Sequence, residues 1–473
     1  MKSNKILKRL AIFAFVGLLT IPSVLGNIAP IENHSIALAA SKSSATLSVS
    51  EFENIKLSSK YAVIVDANTG TVLYDKNANS KIYPASTSKV MTAIVAMENS
   101  KMDDLLTVSQ NALKGQEDNG AHIGLKKGEQ ISMKDALYAL WIESANDSAI
   151  TIAENISGSE EEFAKLLNQK AKDLKLENSH FVTPNGLYDK NHYTTVKDLA
   201  KITSYALKNP DFYEMITTHK YELPPTNKRE QPVTIYTSHP MAPYKYNAYP
   251  YIVGGKTGYV PESKCNMITV AQKDDMTLVC VTGKTNSLYS AADDAKILLD
   301  TSFKNYKKEV LTRDGNNITM NKLLDSGNYI TRHSIVTNNS ISVIVPNNAD
   351  LSKIKFKLNE RELMFPVNKG TQVGTVQAFY ENQLVGSSPI CAKKDLSFFL
   401  FIVYTAFKFL IYAIPIILVI LIAITLKNKL RSKKTKKIKG QRTYNTHGKP
   451  DSISTNASHN SKTSNSYKRT TKK

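Results

Sequence analysis

Cysteine is scarce in this chain, three in 473 residues, and Cys265, Cys280 and Cys391 form an odd count with no metal-type spacing. Neither a disulfide framework nor a thiolate metal site is supported. If 264–273 and 276–283 form a hairpin turning at Asp274-Asp275, residue 273 faces 276, so Cys280 faces Thr269 and not Cys265. Free, buried cysteines are expected. The nine histidines form no H-E-x-x-H or similar cluster, so no bound metal and no cofactor are expected. Acids are nearly missing from both ends: residues 427–473 hold 15 Lys/Arg against the single Asp451, and residues 1–26 hold Lys2, Lys5, Lys8 and Arg9 and no acid. The net charge of +20 therefore sits at the ends and leaves +2 for 27–426. A near-neutral body with basic ends excludes a nucleic-acid surface as the reading and points to a membrane-oriented chain.

The length exceeds one compact domain, and 42% apolar residues supply a sizeable core. A charged segment through Arg9 followed by apolar Leu10–Leu25 reads as a secretory signal. Cleavage after Ala39, in Ala37-Leu38-Ala39, is preferred over cleavage after Gly26; an uncleaved anchor is the alternative. Residues 398–426 are almost continuously apolar, with Lys408 the only charge. Its uncharged part, 409–426, would rise about 27 Å as a helix, enough to cross a bilayer. Phe398, Phe399, Phe401, Tyr404 and Phe407 resemble an aromatic belt, and the basic cluster 427–439 assigns the following tail to the cytoplasm. The expected topology is single-pass, with the body extracytoplasmic.

Residues 40–50 read as a Ser/Ala-rich linker. Runs at 61–66 and 71–74, separated by Asn68-Thr69-Gly70, predict a hairpin. Helical spacing follows Ser86 at Met91, Ile94, Val95 and Met97, and recurs from Met133 to Trp141, where these side chains are read as core. Strand character returns at 251–254, 266–271 and 277–281, before a helix opening near Ser290 with Asp293 as a capping box. The fold class is thus α/β (α+β), one antiparallel sheet with helices on its faces and a helical insert, over residues 51–308. A small β-rich module follows at 309–392, with runs at 340–345, 353–358, 371–380 and 384–385 and no nucleophile beside a base. The polar, basic tail 427–473 is expected to be disordered.

Three short strings supply chemistry in one order: Ser86-Thr87-Ser88-Lys89, Ser144-Ala145-Asn146 and Lys256-Thr257-Gly258. A hydroxyl attacks a carbonyl once a base takes its proton, and Lys89 lies one helical turn from Ser86. An exposed lysine would be protonated at neutral pH, so the site must depress its pKa by desolvation or a neighbouring cation. Lys256 can be that cation, or clamp an anionic substrate end, with Thr257 adding a hydroxyl and Gly258 letting the ligand approach the strand. Ser144, after the 133–141 helix, can relay a proton to the leaving group. Asn146 offers an amide donor and acceptor for a peptide backbone.

These strings, with Tyr83-Pro84-Ala85 before the nucleophile, Phe181-Val182-Thr183-Pro184-Asn185-Gly186-Leu187 and His192-Tyr193-Thr194-Thr195, resemble the D-alanyl-D-alanine carboxypeptidases, low-molecular-mass penicillin-binding proteins. The resemblance covers about residues 55–305 closely and the β module loosely. It implies a β-lactamase/transpeptidase-like fold, an acyl-enzyme on Ser86 with Lys89 as base, and assistance from Ser144 and Asn146. Lys256 and Thr257 would recognise the substrate carboxylate, and the backbone N–H groups of Ser86 and Tyr259 would form the oxyanion hole. The implied partners are peptidoglycan stem peptides ending in D-Ala-D-Ala, with β-lactams as covalent inhibitors.

Two departures from the family stand out. Some relatives use an arginine beyond the Lys-Thr-Gly strand, whereas here no arginine occurs between Arg229 and Arg313, which leaves Lys284 as a substitute. Relatives also often end in an amphipathic surface helix rather than a span. With Lys89 as base, His122, His180 and His192 are read as loop or packing residues. A β-lactamase is disfavoured because no Glu-x-x-Leu-Asn string follows Ser144. A DD-endopeptidase would use the same strings, as would a non-catalytic receptor that senses β-lactams or muropeptides by acylation.

Overall fold

The computed structural model describes residues 49–116, 120–312, 334–336, 340–361, 367–395 and 398–442. The signal segment, most of the linker and the tail beyond 442 lie outside the described residues. Strands β1 (Tyr61–Asp66) and β2 (Val72–Lys76) form the expected hairpin, closed where the Asp66 carboxylate accepts the N–H groups of Asn68 and Thr69. Two small pairs follow, β3 (Leu105–Thr107) with β4 (Gln130–Ser132) and β5 (Lys220–Leu223) with β6 (Val233–Tyr236). Then come β7 (Ile252–Val260), β8 (Lys264–Lys273) and β9 (Met276–Thr285). The main sheet is antiparallel with strand order β2-β1-β9-β8-β7. Strand β7 is therefore an edge, and it runs six residues past the expected 251–254 segment, carrying Lys256-Thr257-Gly258 along it.

Both faces of this sheet are covered, and the two-residue period sorts its side chains. Val63, Val65, Ile268, Val270, Val279 and Val281 join one apolar cluster with helices α1 (Lys89–Asn99) and α5 (Val196–Ala206). Between them in chain order lie α2 (Met133–Tyr138), α3 (Asn146–Ser157) and α4 (Glu160–Asp173), the helical insert, with α6 (Pro210–Thr217) after α5. Trp141 is buried edge-on against Phe212, as core. Ala62, Ile64, Met267, Leu278 and Cys280 face the other way, onto α7 (Leu288–Asn305). Helix α7 is capped by Ser287, whose Oγ accepts the Ser290 N–H at 3.0 Å, not by Ser290. Strand β9 ends at Thr285, so the extended residue before the first turn is Ser287.

The Cys280 register is as expected, Thr269 opposite Cys280 and Thr285 opposite Cys265. All three cysteines are free, but Cys391 is half-buried rather than buried. The β module starts earlier than 309, because β10 (Tyr306–Thr312) leaves α7 directly and pairs with β12 (Ser340–Pro346). Strands β11 (Ser334–Val336), β13 (Lys355–Glu360), β14 (Gln372–Tyr380) and β15 (Gln383–Ala392) form a second sheet. The run at 353–358 begins instead with a 3-10 turn at Leu351–Lys353, where the Asp350 carboxylate caps the Ser352 N–H. Ile341, Val343 and Ile344 share one apolar cluster with Leu298 and Leu299 of α7, so the module is packed onto the body that holds the main sheet.

A separate unit holds α8 (Phe398–Arg442), in which Phe409–Lys429 is long and apolar enough to cross a membrane. The helix continues past Leu426, so 427–442 is helical and not disordered. Lysine and arginine are good helix formers, and no glycine or proline intervenes before Gly440.

Candidate active site

Ser86 sits in a 3-10 turn, Ala85–Ser88, that leads directly into α1. The turn is entered through Ala85 at φ +52°, a left-handed conformation unfavourable for a residue with a Cβ. It is held by Thr87 Oγ1 donating to Pro84 O at 2.6 Å and Ser88 Oγ donating to Ala85 O at 3.0 Å. Ser86 is half-exposed, whereas Lys89, three residues on, is fully buried. One turn of helix brings Lys89 Nζ to 2.9 Å from Ser86 Oγ.

Two other acceptors surround that nitrogen: Asn146 Oδ1 at 2.8 Å and the Asn185 carbonyl at 2.7 Å. A neutral amine has two N–H groups and one lone pair. In that unprotonated form, with both N–H groups given to the two carbonyl oxygens, the lone pair is left for the Ser86 hydroxyl; in the protonated form the third N–H donates to Ser86 Oγ. Burial pushes the Lys89 pKa well below its usual value, the Lys256 cation pushes it the same way, and Asp147 opposes both. The Asp147 carboxylate is itself occupied, accepting from the N–H groups of Ile123, Leu125 and Ser148 and from Gln116 Nε2.

Ser144 lies within the helical insert, between α2 and α3, at the end of a π turn and not on a loop after a helix over 133–141. After Tyr138 the chain makes a π turn, Ala139–Glu143, and Ser144 caps it at φ +66°. That turn and the left-handed cap end the helix so that α3 starts afresh at Asn146. Ser144 is buried, and among the described residues no hydrogen bond joins its side chain to Ser86, Lys89 or Lys256.

Lys256 is also buried, its Nζ 3.2 Å from the Thr257 carbonyl, and burial lowers its pKa to about 7 against the opposing pull of Glu143. Thr257 Oγ1 lies 3.1 Å from Ser238 Oγ, and Tyr259 is exposed on the strand edge. A Cβ on Gly258 would come within 2.9 Å of the Ser86 and Thr87 nitrogens and 3.0 Å of Pro84 O. Its bare Cα thus makes room for the nucleophile's own backbone. Gly258→Ala is expected to displace the Ser86 N–H and slow penicillin acylation by about 100-fold, the cost of one lost oxyanion donor. Acylation within a factor of about three of wild type would show that the turn yields without consequence.

Several contributors carry no nucleophile, base or charge and were therefore silent as chemistry in the sequence. Pro184 O accepts from Thr92 Oγ1 at 2.7 Å, and Asn185 O from Lys89, so the 181–187 string grips α1 through backbone carbonyls. Gly186, at φ +81°, packs so closely that a Cβ would lie 2.1 Å from Ala85 O. Asn266 Nδ2 donates to the carbonyls of Tyr83 and Pro84, tying the nucleophile turn to β8. His192 is buried, with Nδ1 accepting from the Val182 and Thr183 N–H groups, and burial holds its pKa near 4. It is a packing histidine, as expected, and His122 and His180 are exposed. The 181–187 string was marked in the sequence only by its resemblance to the family's segment.

Among the described residues no hydrogen bond joins Lys284 to Lys256 or Thr257. It lines a cavity with Tyr61, Lys81 and Tyr83, in a bulge of β9 where Gly283 and Lys284 face Asn266 of β8 and the chain turns left-handed at φ +58°. Among the described residues, no group of three or more His, Cys, Asp and Glu side chains is arranged to hold a metal ion.

Residues 46–287 match the D-alanyl-D-alanine carboxypeptidase family, and 306–397 match the penicillin-binding protein 5 C-terminal domain. The chain is 30% identical over 343 residues to D-alanyl-D-alanine carboxypeptidase DacF of Bacillus subtilis, covering 71% of this chain and 85% of that protein. In fold it is similar to penicillin-binding protein 5 of Haemophilus influenzae, with TM-score 0.56 at 21% identity over 72% of this chain and 98% of that one. The Streptomyces K15 DD-transpeptidase matches with TM-score 0.50 at 25% identity, over 53% of this chain and 98% of its own. The Ser-Lys pair, its fold and the two matched segments agree: this chain belongs to the D-alanyl-D-alanine carboxypeptidase family of serine peptidases.

Proposed function

We propose that this carboxypeptidase removes the terminal D-alanine of peptidoglycan stem peptides through an acyl-enzyme on Ser86. The observation that carries the reading is the buried Lys89 amine, 2.9 Å from Ser86 Oγ with its two N–H groups already engaged. Lys89 takes the hydroxyl proton as Ser86 Oγ attacks the carbonyl between the two D-alanines. The N–H groups of Ser86 and Tyr259 hold the oxyanion, and Ser144 passes the proton to the departing D-alanine nitrogen. Water, deprotonated by the same base, then releases the shortened peptide. Lys256 and Thr257 hold the terminal carboxylate, and Asn146 positions both the base and the substrate amide. Because β7 is a sheet edge, a substrate peptide can lie beside it as an added strand. β-Lactams open on the same serine, which makes them covalent inhibitors.

In the same reading residues 1–39 direct export, 40–50 link, 51–305 catalyse and the module from 306 to 392 supports. The helix over 398–426 spans the cell membrane, with the body outside and the basic tail 427–473 in the cytoplasm. What supports this is the apolar length of the helix and the lysine cluster that follows it.

The exported segment, roughly 40–395, is expected to release D-alanine from a D-Ala-D-Ala pentapeptide without added metal; loss of that turnover on chelation would refute the metal-free mechanism. The pH profile should have two sides. Lys89 works unprotonated, so acylation falls as pH drops through its depressed pKa, whereas Lys256 works protonated, so KM rises as pH climbs through about 7. A KM flat from pH 6 to 9 would remove Lys256 as the carboxylate clamp.

A further inference from the structure

Behind the nucleophile turn lies a cavity of about 320 Å³, lined by Tyr61, Lys81, Tyr83, Lys190, Tyr193, Glu262, Ser263 and Lys284. Its charge is unbalanced: three lysines face one carboxylate, and none of the four ion pairs among the described residues involves any of them. Lys81 Nζ is instead placed 3.8 Å from the centre of the Tyr193 ring, a cation held over an aromatic face.

Lys284 is aimed into the cavity at a conformational cost. It is a non-glycine residue at φ +58° near the end of β9, inside a β9 bulge where Gly283 and Lys284 together face Asn266 of β8, and bulges redirect side chains. Its N–H donates to Asn266 Oδ1 at 3.1 Å, and the same Asn266 amide holds Tyr83 O and Pro84 O and reaches Ser263 Oγ on the cavity wall. Cavity and nucleophile turn thus share one anchor. Gly258 pairs with Asn266, and Lys284 lies one strand further, so its backbone is about 10 Å from the glycine that packs on Ser86, at ~4.8 Å per strand. An extended peptide advances about 3.5 Å per residue, which puts a group some three residues from the scissile bond within that distance.

We propose that this cavity is a second, anion-binding subsite that takes a carboxylate or phosphate group of the cell-wall polymer while the D-Ala-D-Ala end occupies the Ser86 site. The proposal rests on the Ser86 acyl-enzyme reading of that site. The anion enters among Lys81, Lys190 and Lys284, with the tyrosines as walls, and Glu262 weakens the field that draws it in. The anion belongs either to the acyl side of the substrate itself or to a separate polymer, and the two sources share this chemistry.

The test compares two donor peptides ending in D-Ala-D-Ala, one capped by acetyl and one by succinyl, which adds a single acyl-side carboxylate. For a substrate-borne anion the succinyl donor has a kcat/KM about tenfold higher at low salt, and the preference shrinks as salt rises. Combining Lys81→Gln, Lys190→Gln and Lys284→Gln abolishes the preference while leaving acetyl-donor turnover and penicillin labelling unchanged; Glu262→Gln enlarges it. For a separate polymer the donors behave alike, but glycerol 3-phosphate binds the wild type and not the triple variant. Equal donors together with no glycerol phosphate binding overturn the subsite. Failure to hydrolyse the acetyl donor at all, or labelling away from Ser86, overturns the Ser86 mechanism instead, so the two failures are distinct.

Discussion

Ser86→Ala should abolish covalent labelling by penicillin and remove D-alanine release, by on the order of 10⁶-fold in turnover, as when the nucleophile is deleted from other serine hydrolases. The strained lactam amide mimics the scissile bond and needs the same oxygen. The variant should fold normally, because Ser86 is half-exposed and among the described residues its side chain bonds only to Lys89, which keeps both Asn146 Oδ1 and Asn185 O. Circular dichroism and the thermal midpoint check the fold, and mass spectrometry of the labelled peptide checks the site. Ser144→Ala, by contrast, should still label at Ser86, more slowly. A penicilloyl group found on Ser144, or label retained by Ser86→Ala, would assign the nucleophile elsewhere.

The two buried lysines should respond differently to the same replacement. Lys89→Arg retains a cation that cannot lose its proton near neutral pH, so acylation should fall by about 10⁴-fold or more. The arginine also has little room, since Asn146 Oδ1 and Asn185 O lie 2.8 Å and 2.7 Å from Nζ. Lys89→Met is the companion variant: it is neutral and unbranched, and it leaves those two oxygens unpaired at about 1–3 kcal/mol each. It should lose acylation equally while remaining folded. Lys256→Arg keeps a positive charge beside both Lys89 and the substrate carboxylate, so it should acylate within about tenfold of wild type, with KM raised by a similar factor. Lys256→Met should do more. Removing that cation lets the Lys89 pKa rise, so the acid side of the pH profile should move to higher pH. Equal loss of acylation in Lys89→Arg and Lys256→Arg, with normal binding of a substrate analogue, would dissolve the division into base and clamp and leave a charge-coupled pair in its place.

The sequence alone determined the chemistry and the order of its parts, because those are local. A hydroxyl and an amine three residues apart on a helix must meet, and they do at 2.9 Å. The hairpin at 264–285 was legible for the same reason, since a two-residue turn at Asp274-Asp275 fixes the register and hence the separation of Cys265 from Cys280. Only the tertiary structure decided what makes Lys89 reactive. Its burial, the nearby Lys256 and the carbonyl of Asn185 come from segments 57 to 167 residues away along the chain, and desolvation is a property of the packed surroundings and not of a residue's neighbours in sequence. The same holds for Gly258, whose lack of a Cβ serves the nucleophile's backbone, and for Lys284, which a bulge in β9 places on the wall of a cavity with Lys81 and Tyr83. Glycine and lysine are named by the sequence, but whether a missing Cβ or a charge matters depends on which atoms arrive across the fold.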